Sequence, residues 1–513
     1  MKTSSLLRVL LLVASLLAVA NAVQPPTMRL DYYHTGNATT ETFSFDRVAI
    51  EPLPWPGDMA KTIDDTNLGN YLFEVRDAAS NNLLYSRGLG SIFSEWSDTE
   101  DAKKLNRTFS ESLRFPAPSA PVKIVLKERR EGKDVGFHEV WTTTIDPKDK
   151  FNDRSKPPSP GPLLTLQKMG EPQTKVNLLM LGDGYTVAER GKFEKDAKRA
   201  LEILFSRSPF KEHRKDFNVW GLCPAAAESG ISRPSTGVYR DSPLGTSYDT
   251  FGSERYMMTT NNHALREVAS YAPYEFIEIL ANAGTYGGGG IFNLYATVAI
   301  DNQWAPYLFV HEFGHHFAGL ADEYYTSDVA YESQAQRIEP WEPNVTALLD
   351  PAMLKWKDLV VPGTPVATPW RKAEFEAYEH DIQAERRKLR AENRTESEMN
   401  SLFEKEKKHE DELLGTDQYS NRIGAFEGAN YEARGYYRSR ENCIMFTRYE
   451  KFCAVCQRSI ERIISLYAAE MNAIPQRVAV TARNNSAKFS ELFVKRTELN
   501  NLTVVAGEPR TAN

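Results

Sequence analysis

The chain has 513 residues and a formal net charge of −7, with 41% hydrophobic and 26% charged residues. This length accommodates about three domains, and the composition is typical of a globular protein. The mildly acidic balance gives no reason to expect nucleic acid as a partner. No stretch after the N-terminal region is apolar for long enough to cross a membrane, and the sequence does not determine the oligomeric state.

Residues 1–22 have the pattern of a secretory signal peptide. Lys2 and Arg8 form a basic start, an apolar run follows, and Ala20-Asn21-Ala22 matches a small-x-small cleavage site. The apolar run is too short for a membrane helix. The sequence therefore predicts an exported protein, secreted or periplasmic, that is cleaved after Ala22.

Residues 27–146 are predicted to form an all-β sandwich domain. Turn-forming residues separate short segments rich in aromatic and β-branched residues, which is typical of a sandwich: 28–33, 42–50, 71–75, 83–86, 122–127 and 137–144. Because this region has no clustered His or Cys, we expect it to support the rest of the chain, to dock substrate or to act as a pro-region. A Pro-rich linker is predicted at residues 147–173.

Residues 174–300 alternate strands with helices, which predicts an α/β domain. This domain is expected to extend over residues 174–470. Strands are expected at 176–181, 217–222, 276–280 and 294–300, and helices at 186–205, 263–271 and 452–471. The segment Gly287–Gly290 permits close approach of another backbone. It could serve a paired substrate strand, or it could be a flexible loop without a contact role. No role is assigned to residues 471–513.

A densely charged segment, residues 371–414, is inserted in this domain. Thr395 and Glu398 have the spacing of a capping box in its middle, so a helical hairpin is predicted. The charge density indicates a solvated excursion. His380 and His409 are expected at its surface.

The segment from His311 to Asp322 reads HEFGHHFAGLAD and contains His311, Glu312 and His315 in the order H-E-x-x-H. Residues four apart lie on one face of a helix, so both imidazoles can reach a single metal ion. Glu312, beside the first His, can reach a water on that metal. This is the arrangement of zinc peptidases, with two helical His ligands and a carboxylate general base. Pro306 suits the first turn of the helix, and Gly319 is expected to end it.

A catalytic zinc needs three protein ligands and an open position for water. His316 lies about 140° around the helix from His311 and should face elsewhere. Asp322 is the preferred third ligand, with Glu323 as the alternative, because Asp322 keeps the three-residue offset from Gly seen in the metzincin pattern. Met445 is then a candidate Met-turn beneath the ligands, or else a buried core methionine.

Four cysteines, Cys223, Cys443, Cys453 and Cys456, make an even number in an exported chain. Disulfide bonds are therefore the favoured prediction. The C-x-x-C pair formed by Cys453 and Cys456 could instead be a redox pair or half of a zinc knuckle.

The stretch HEFGHHFAGLADEYY, residues 311–325, resembles the active-site signature of the IgA-peptidase family of secreted metallopeptidases, family sixty-four of the metallo class. Further segments also resemble that family: 181–185 (LGDGY), 340–346 (PWEPNVT), 424–431 (GAFEGANY) and the cysteine-bearing segment 443–456. The resemblance implies an α/β metzincin-like zinc peptidase domain preceded by an accessory domain, with residues 371–414 as an enlarged insertion.

These observations predict an exported zinc-dependent endopeptidase that acts on a protein or peptide substrate with one catalytic Zn²⁺. His311, His315 and Asp322 would be the metal ligands and Glu312 the general base. Tyr436, Tyr437 and Tyr449 are candidates to assist the oxyanion. Two alternatives remain open, which are a zinc amidase acting on cell-wall peptide and a non-catalytic zinc-containing binding protein.

Overall fold

The computed structural model describes residues 24–130, 135–327 and 337–468. The predicted signal peptide and the segment 471–513 lie outside the described residues. Within the described part of the chain, no helix combines the length and the apolar character that crossing a membrane requires.

The N-terminal region is β-rich, as predicted. Two antiparallel sheets, of strand order β2-β1-β5 and β4-β3-β6-β7, enclose a core that includes Tyr32, Phe73, Phe115 and Ile124. Its elements are β1 Pro26–Gly36, β2 Glu41–Pro54, β3 Tyr71–Asp77, β4 Leu83–Leu89, α1 Ile92–Ser97, β5 Arg107–Pro116, β6 Val122–Arg130 and β7 Gly136–Ile145. Strand β5 and helix α1 were not predicted.

Strand β5 is not recognisable from its hydrophobicity pattern, because it buries polar side chains. Glu111 accepts a hydrogen bond from the hydroxyl of Tyr32 (2.8 Å), and Ser112 donates one to Asp31 (2.6 Å). These bonds satisfy the buried polar groups, so a strand without strict apolar alternation can lie in the interior.

The following region is a mixed α/β domain built on a six-stranded sheet of order β12-β13-β11-β9-β10-β8. The four inner strands are parallel, and the two edge strands are antiparallel to their neighbours. The elements are β8 Leu164–Gln167, β9 Val176–Asp183, α2 Arg190–Leu204, β10 Phe217–Leu222, α3 Asn262–Ala269, β11 Phe276–Ala281, β12 Gly288–Ile291, β13 Tyr295–Ala299 and α4 Ala305–Ala318.

Both faces of this sheet are covered, which explains why β9, β10 and β11 are buried along their whole length. Helices α2 and α4 contribute to the core on one face. Helix α3 and the N-terminal helix α1 contribute to the core on the other. The N-terminal region thus packs directly on the sheet of the α/β domain.

Strand β8 lies within residues 147–173, where a linker is predicted. It pairs with β10 through Leu164, Thr165 and Gln167 as an edge strand of the sheet. Its residues alternate apolar and polar, but over only four positions, which is too short a signal. The pairing also depends on contacts with a strand some fifty positions later.

The remaining described elements are β14 Val345–Thr346, α5 Lys372–Ala391, α6 Glu396–Leu413, β15 Phe426–Ala429, β16 Glu432–Arg438 and α7 Ala454–Tyr467. Helices α5 and α6 form the predicted hairpin, and Thr395 and Glu398 make the predicted capping box. The hairpin is not a purely solvated excursion, because Phe375, Ile382 and Phe403 are buried in the main core. His380 is exposed, whereas the ring of His409 stacks on Tyr378.

Candidate metal centre

The H-E-x-x-H motif lies on helix α4, which has Pro306 in its first turn and ends at Gly319 as predicted. Gly319 has a φ of +59°, and a Cβ at this position would lie 2.7 Å from the ring of Trp341. Only glycine combines this backbone conformation with so little space. The chain therefore turns sharply and brings the segment 320–325 back beneath the helix.

This turn brings His311, His315 and Asp322 together. Oδ1 of Asp322 lies 3.0 Å from Nε2 of His311 and 3.2 Å from Nε2 of His315, and the two Nε2 atoms are 3.2 Å apart. His311 and Asp322 are 3% and 5% exposed. Three potential ligand atoms thus converge on one small volume at the base of a cleft.

The hydrogen bonds of the two Nδ1 atoms determine which ring nitrogens of His311 and His315 carry a proton. Nδ1 of His311 donates a hydrogen bond to the carbonyl of Ile444 (2.9 Å), and Nδ1 of His315 donates one to the carbonyl of Leu320 (2.5 Å). In neutral rings both Nε2 atoms then carry lone pairs that face a carboxylate oxygen. Only a cation, either a proton or a metal ion, makes this arrangement stable, so these residues fit a divalent metal.

The charges of Asp322 and His315 stabilise each other. Burial alone would raise the pKa of Asp322, but the two imidazoles hold it well below its ordinary value. Burial alone would lower the pKa of His315, but the Asp322 carboxylate raises it to about 9. Binding of a metal ion requires both Nε2 atoms and the carboxylate to be free of protons, so metal and proton compete for this site.

Glu312 lies on the same helix, and one of its carboxylate oxygens lies within 4.8 Å of a ring nitrogen of His311 and of one of His315. Burial raises the pKa of Glu312, the two imidazoles lower it, and Asp322 raises it, with a net rise. A carboxylate with a raised pKa holds a proton more readily than an ordinary one, which suits a group that takes and returns a proton.

Strand β12 supports Glu312 from the other side. A Cβ on Gly288 would lie 3.1 Å from Cγ of Glu312, and a Cβ on Gly290 would lie 2.3 Å from the Glu312 carbonyl oxygen. The glycines of this segment therefore allow another backbone to approach closely, and that backbone is helix α4. The segment is a strand, not a flexible loop. At Gly288 its outer edge is bonded to Arg255 and Met257, and pairing with a substrate strand elsewhere along β12 stays a prediction.

Glu323 and His316, the other two candidates considered from sequence, face away from this centre. A carboxylate oxygen of Glu323 accepts a hydrogen bond from Asn344 (3.0 Å) and lies 3.7 Å from Sγ of Cys456. His316 donates to the carbonyl of Ile291 (3.0 Å) and accepts from the amide of Ile277 (3.1 Å). Burial lowers the pKa of His316 to about 3, so this ring is a neutral part of the core.

Met445 is buried close to α4, at the place where a Met-turn is predicted. Its sulfur would be 3.2 Å from a Cβ at Gly314, and its carbonyl accepts a hydrogen bond from the amide of Glu323 (2.8 Å). The preceding carbonyl, that of Ile444, orients His311. This segment therefore lies beneath the helix that carries the two imidazoles.

A residue that the sequence did not single out, Tyr431, contacts Asp322. Its hydroxyl donates a hydrogen bond to Oδ2 (2.7 Å), the carboxylate oxygen that does not face the imidazoles. Tyr431 and Asn430 form the two-residue turn between β15 and β16, with φ values of 64° and 55°. The amides of both residues donate to the carbonyls of Asp322 and Tyr324, at 3.0 and 3.1 Å. The turn is thereby fixed to the segment that carries Asp322.

The cleft above these residues has a volume of about 520 Å³. Tyr436 lines it, whereas Tyr437 and Tyr449, the other two candidates for assisting an oxyanion, are not among the described residues that line it. Arg255 and Tyr324 also line the cleft and are bonded to each other at 2.9 Å. The N-terminal region contributes lining residues as well, including Ser94 and Ser97 of α1 and Arg129 of β6.

The favoured disulfide bonds are not found. All four cysteines are free, and Cys443, Cys453 and Cys456 form one buried group whose measured sulfur–sulfur distances are 3.4 and 3.8 Å. A disulfide bond requires about 2.05 Å. An even count suggested pairs, but the fold brings three cysteines together and leaves Cys223 elsewhere.

Two family models match the chain. The model described as IgA Peptidase M64 matches residues 164–464, and the model of the Peptidase M64 N-terminus matches residues 19–141. The protein is thus a metallopeptidase by class. It belongs to the IgA peptidase M64 family, as the resemblance of residues 311–325 implied. No curated protein matches the chain.

Proposed function

We propose that this protein is an exported zinc-dependent endopeptidase with a metzincin-like catalytic domain. The observation that carries the proposal is the convergence of Nε2 of His311, Nε2 of His315 and Oδ1 of Asp322 within 3.2 Å of one another. Two imidazoles and one carboxylate, with Glu312 beside them in an open cleft, are the donor set of a catalytic zinc. The family supports peptide-bond hydrolysis as the reaction.

In this proposal, residues of the chain transfer the proton, orient the metal ligands and contact the substrate. When bound, zinc would activate a water molecule and polarise the carbonyl of the scissile bond. Glu312 would take a proton from that water and return it to the leaving amine. The carbonyls of Ile444 and Leu320 keep both imidazoles oriented with Nε2 toward Asp322, where these three residues would hold the metal, and Tyr431 bonds to the other oxygen of Asp322. Tyr436 and the bonded pair of Arg255 and Tyr324 line the cleft, and in this proposal they would contact the substrate carbonyl.

The test compares the mature chain with Glu312→Gln. The variant keeps the three ligands and the shape of the side chain but has no carboxylate to accept a proton. We expect the wild type to cleave unfolded proteins in a chelator-sensitive reaction. We expect Glu312→Gln to retain bound zinc and to lose at least about 100-fold in kcat, since proton transfer contributes a factor of about 10² to 10⁴. Zinc content is measured by elemental analysis and cleavage by peptide mass spectrometry.

Retained turnover in Glu312→Gln would contradict the assignment of the base. Cleavage of peptidoglycan peptide but of no protein would favour the cell-wall amidase, and bound zinc without hydrolysis of either substrate would favour the binding protein. Export is tested separately, by determining the N-terminus of the protein recovered outside the cytoplasm, where Val23 is the expected first residue.

A further inference from the structure

A second cluster of potential ligands lies behind the proposed catalytic centre. The sulfurs of Cys443, Cys453 and Cys456 and a carboxylate oxygen of Glu323 all lie within 4.8 Å of one another. All four residues are buried, with exposed fractions of 0 or 1%. Glu323 follows Asp322 directly, so two consecutive residues face two different clusters.

The distances in this cluster suit tetrahedral metal coordination. Metal–sulfur bonds of about 2.3 Å and metal–oxygen bonds of about 2.1 Å place neighbouring ligand atoms about 3.6 to 3.8 Å apart. The measured separations are 3.8 Å between Cys443 and Cys456, 3.4 Å between Cys453 and Cys456, and 3.7 Å from Cys456 to Glu323.

The surroundings of the cluster also suit bound thiolates. The amide of Cys453 donates to the sulfur of Cys443 (3.3 Å), and the amide of Cys456 donates to the sulfur of Cys453 (3.4 Å). Ser439 lies 3.1 Å from the sulfur of Cys453. Cys453 caps the N-terminus of α7, where the helix dipole favours negative charge.

An independent sign comes from Glu323. One of its carboxylate oxygens, Oε2, is buried and has no hydrogen-bond partner. A buried carboxylate oxygen without a partner costs free energy, and native structures rarely leave one in that state. A cation between this carboxylate and the three sulfurs would remove the cost.

We propose that Glu323, Cys443, Cys453 and Cys456 bind a second divalent metal ion, which the three-sulfur, one-oxygen ligand set identifies as structural zinc. The site is closed, since four protein ligands leave no position for water, and this distinguishes it from a catalytic zinc site. It lies at the junction of the two segments that orient the catalytic ligands. Glu323 adjoins Asp322, and Cys443 adjoins Ile444, whose carbonyl orients His311.

The test counts metal ions in a chain whose catalytic site is removed. In His311→Ala/His315→Ala, elemental analysis is expected to find one zinc ion per chain. Adding Cys453→Ser should remove it, while adding Cys223→Ser, a matched change at the buried cysteine outside the cluster, should leave it in place. Because no step depends on hydrolysis, the result is independent of whether the proposed peptidase activity is found.

Cobalt provides a second measurement that needs no cysteine variant. Exchange of Co²⁺ into His311→Ala/His315→Ala is expected to give the strong near-ultraviolet absorption of sulfur-to-cobalt charge transfer, and Glu323→Gln should speed its loss to a chelator. A double-His variant that binds no metal would overturn the proposal. The thiol count after denaturation would not change this conclusion. The proposal would be wrong if all four thiols reacted with a thiol reagent, and equally wrong if only two reacted because a disulfide had formed.

Discussion

The hydroxyl of Tyr431 sits on the far oxygen of Asp322, 109 positions away along the chain. Hydrogen bonds from such neighbours fix the orientation and the basicity of a metal ligand. The sequence identified the segment that contains Tyr431 only as a family resemblance. Nothing local marks its role, because the contact depends on how the turn at 430–431 packs against residues 322–324.

Tyr431→Phe should therefore lower zinc affinity or kcat by about 10- to 100-fold, the usual cost of losing an outer partner of a metal ligand. The variant retains the ring and lacks the hydroxyl that makes the 2.7 Å bond to Asp322. Zinc affinity is measured by competition with a chromogenic chelator, and kcat with a peptide substrate. Tyr239→Phe, at a tyrosine that is 69% exposed, serves as control. Equal behaviour of the two variants would show that the hydroxyl does not orient the carboxylate.

The two imidazoles, unlike Tyr431, have a relationship that the local sequence does predict. Their i and i+4 spacing is a local property of a helix, so His311 and His315 could be paired from sequence alone. Asp322 followed from a turn at Gly319, which is also local. The sequence favoured Asp322 over the adjacent Glu323 without excluding Glu323, because the neighbours of each carboxylate come from distant parts of the chain.

Strand β12 and helix α4 show how two elements share a site. Four consecutive glycines carry no strand preference, and the strand forms because β13 pairs with it. Its glycines also allow the backbone of α4 to approach closely. The sequence predicted that these glycines permit close approach of another backbone, but not that the approaching element is α4.

The neighbouring glycines of β12 give a matched test. A Cβ on Gly290 would lie 2.3 Å from the carbonyl oxygen of Glu312, a backbone atom that can move only with α4. A Cβ on Gly289 would lie 2.8 Å from the end of the flexible Met258 side chain. We expect Gly290→Ala to cost about 1–3 kcal/mol of stability through overpacking and to lower kcat by about 100-fold.

Gly289→Ala should remain within about 1 kcal/mol of the wild type and retain activity, since Met258 can change its rotamer. Urea unfolding measures the first quantity and peptide hydrolysis the second. If both variants were equally active, the close approach of β12 would not be needed to position Glu312.

The hairpin of α5 and α6 contacts residues that line the cleft or adjoin its lining. Glu396 accepts a hydrogen bond from the amide of Tyr286 (2.9 Å), and Arg390 contacts Glu254 at 2.7 Å. Tyr286 and Arg255, the neighbour of Glu254, both line the cleft. The charge pattern predicted the helices but not these contacts, because nothing local in the sequence shows which distant residues Glu396 and Arg390 meet.

At the scale of the whole molecule, the N-terminal region forms part of the cleft and packs on the α/β domain. The amide of Gly90 donates to the carbonyl of Phe292 (2.8 Å), and Arg47 pairs with Glu267 at 2.8 Å. The sequence predicted the β-rich region but left its role open among support, substrate docking and a pro-region. The lining by α1 favours substrate docking.

A bulky side chain on α1 should therefore interfere with substrates that extend along the cleft. We expect Ser97→Tyr to raise KM for a protein substrate by about tenfold, equivalent to about 1.4 kcal/mol, while kcat for a short peptide stays unchanged. Ser206→Tyr is the control, because both serines donate to the carbonyl three residues earlier at a helix end and Ser206 is exposed outside the cleft. An unchanged KM in Ser97→Tyr would exclude α1 from substrate contact.

The turn at Asn430 and Tyr431 has a consequence for thermostability engineering. Two-residue hairpin turns with both φ values positive favour Asn-Gly, and a tyrosine in this conformation costs about 1 kcal/mol relative to glycine. A design rule based on turn conformation alone would therefore place glycine at position 431. That change relieves the strain, but it removes the ring that contacts Tyr324 and the hydroxyl at Asp322. We therefore expect a better turn conformation at this position to come with lower zinc affinity or turnover, so a screen of turn variants should score activity as well as melting temperature.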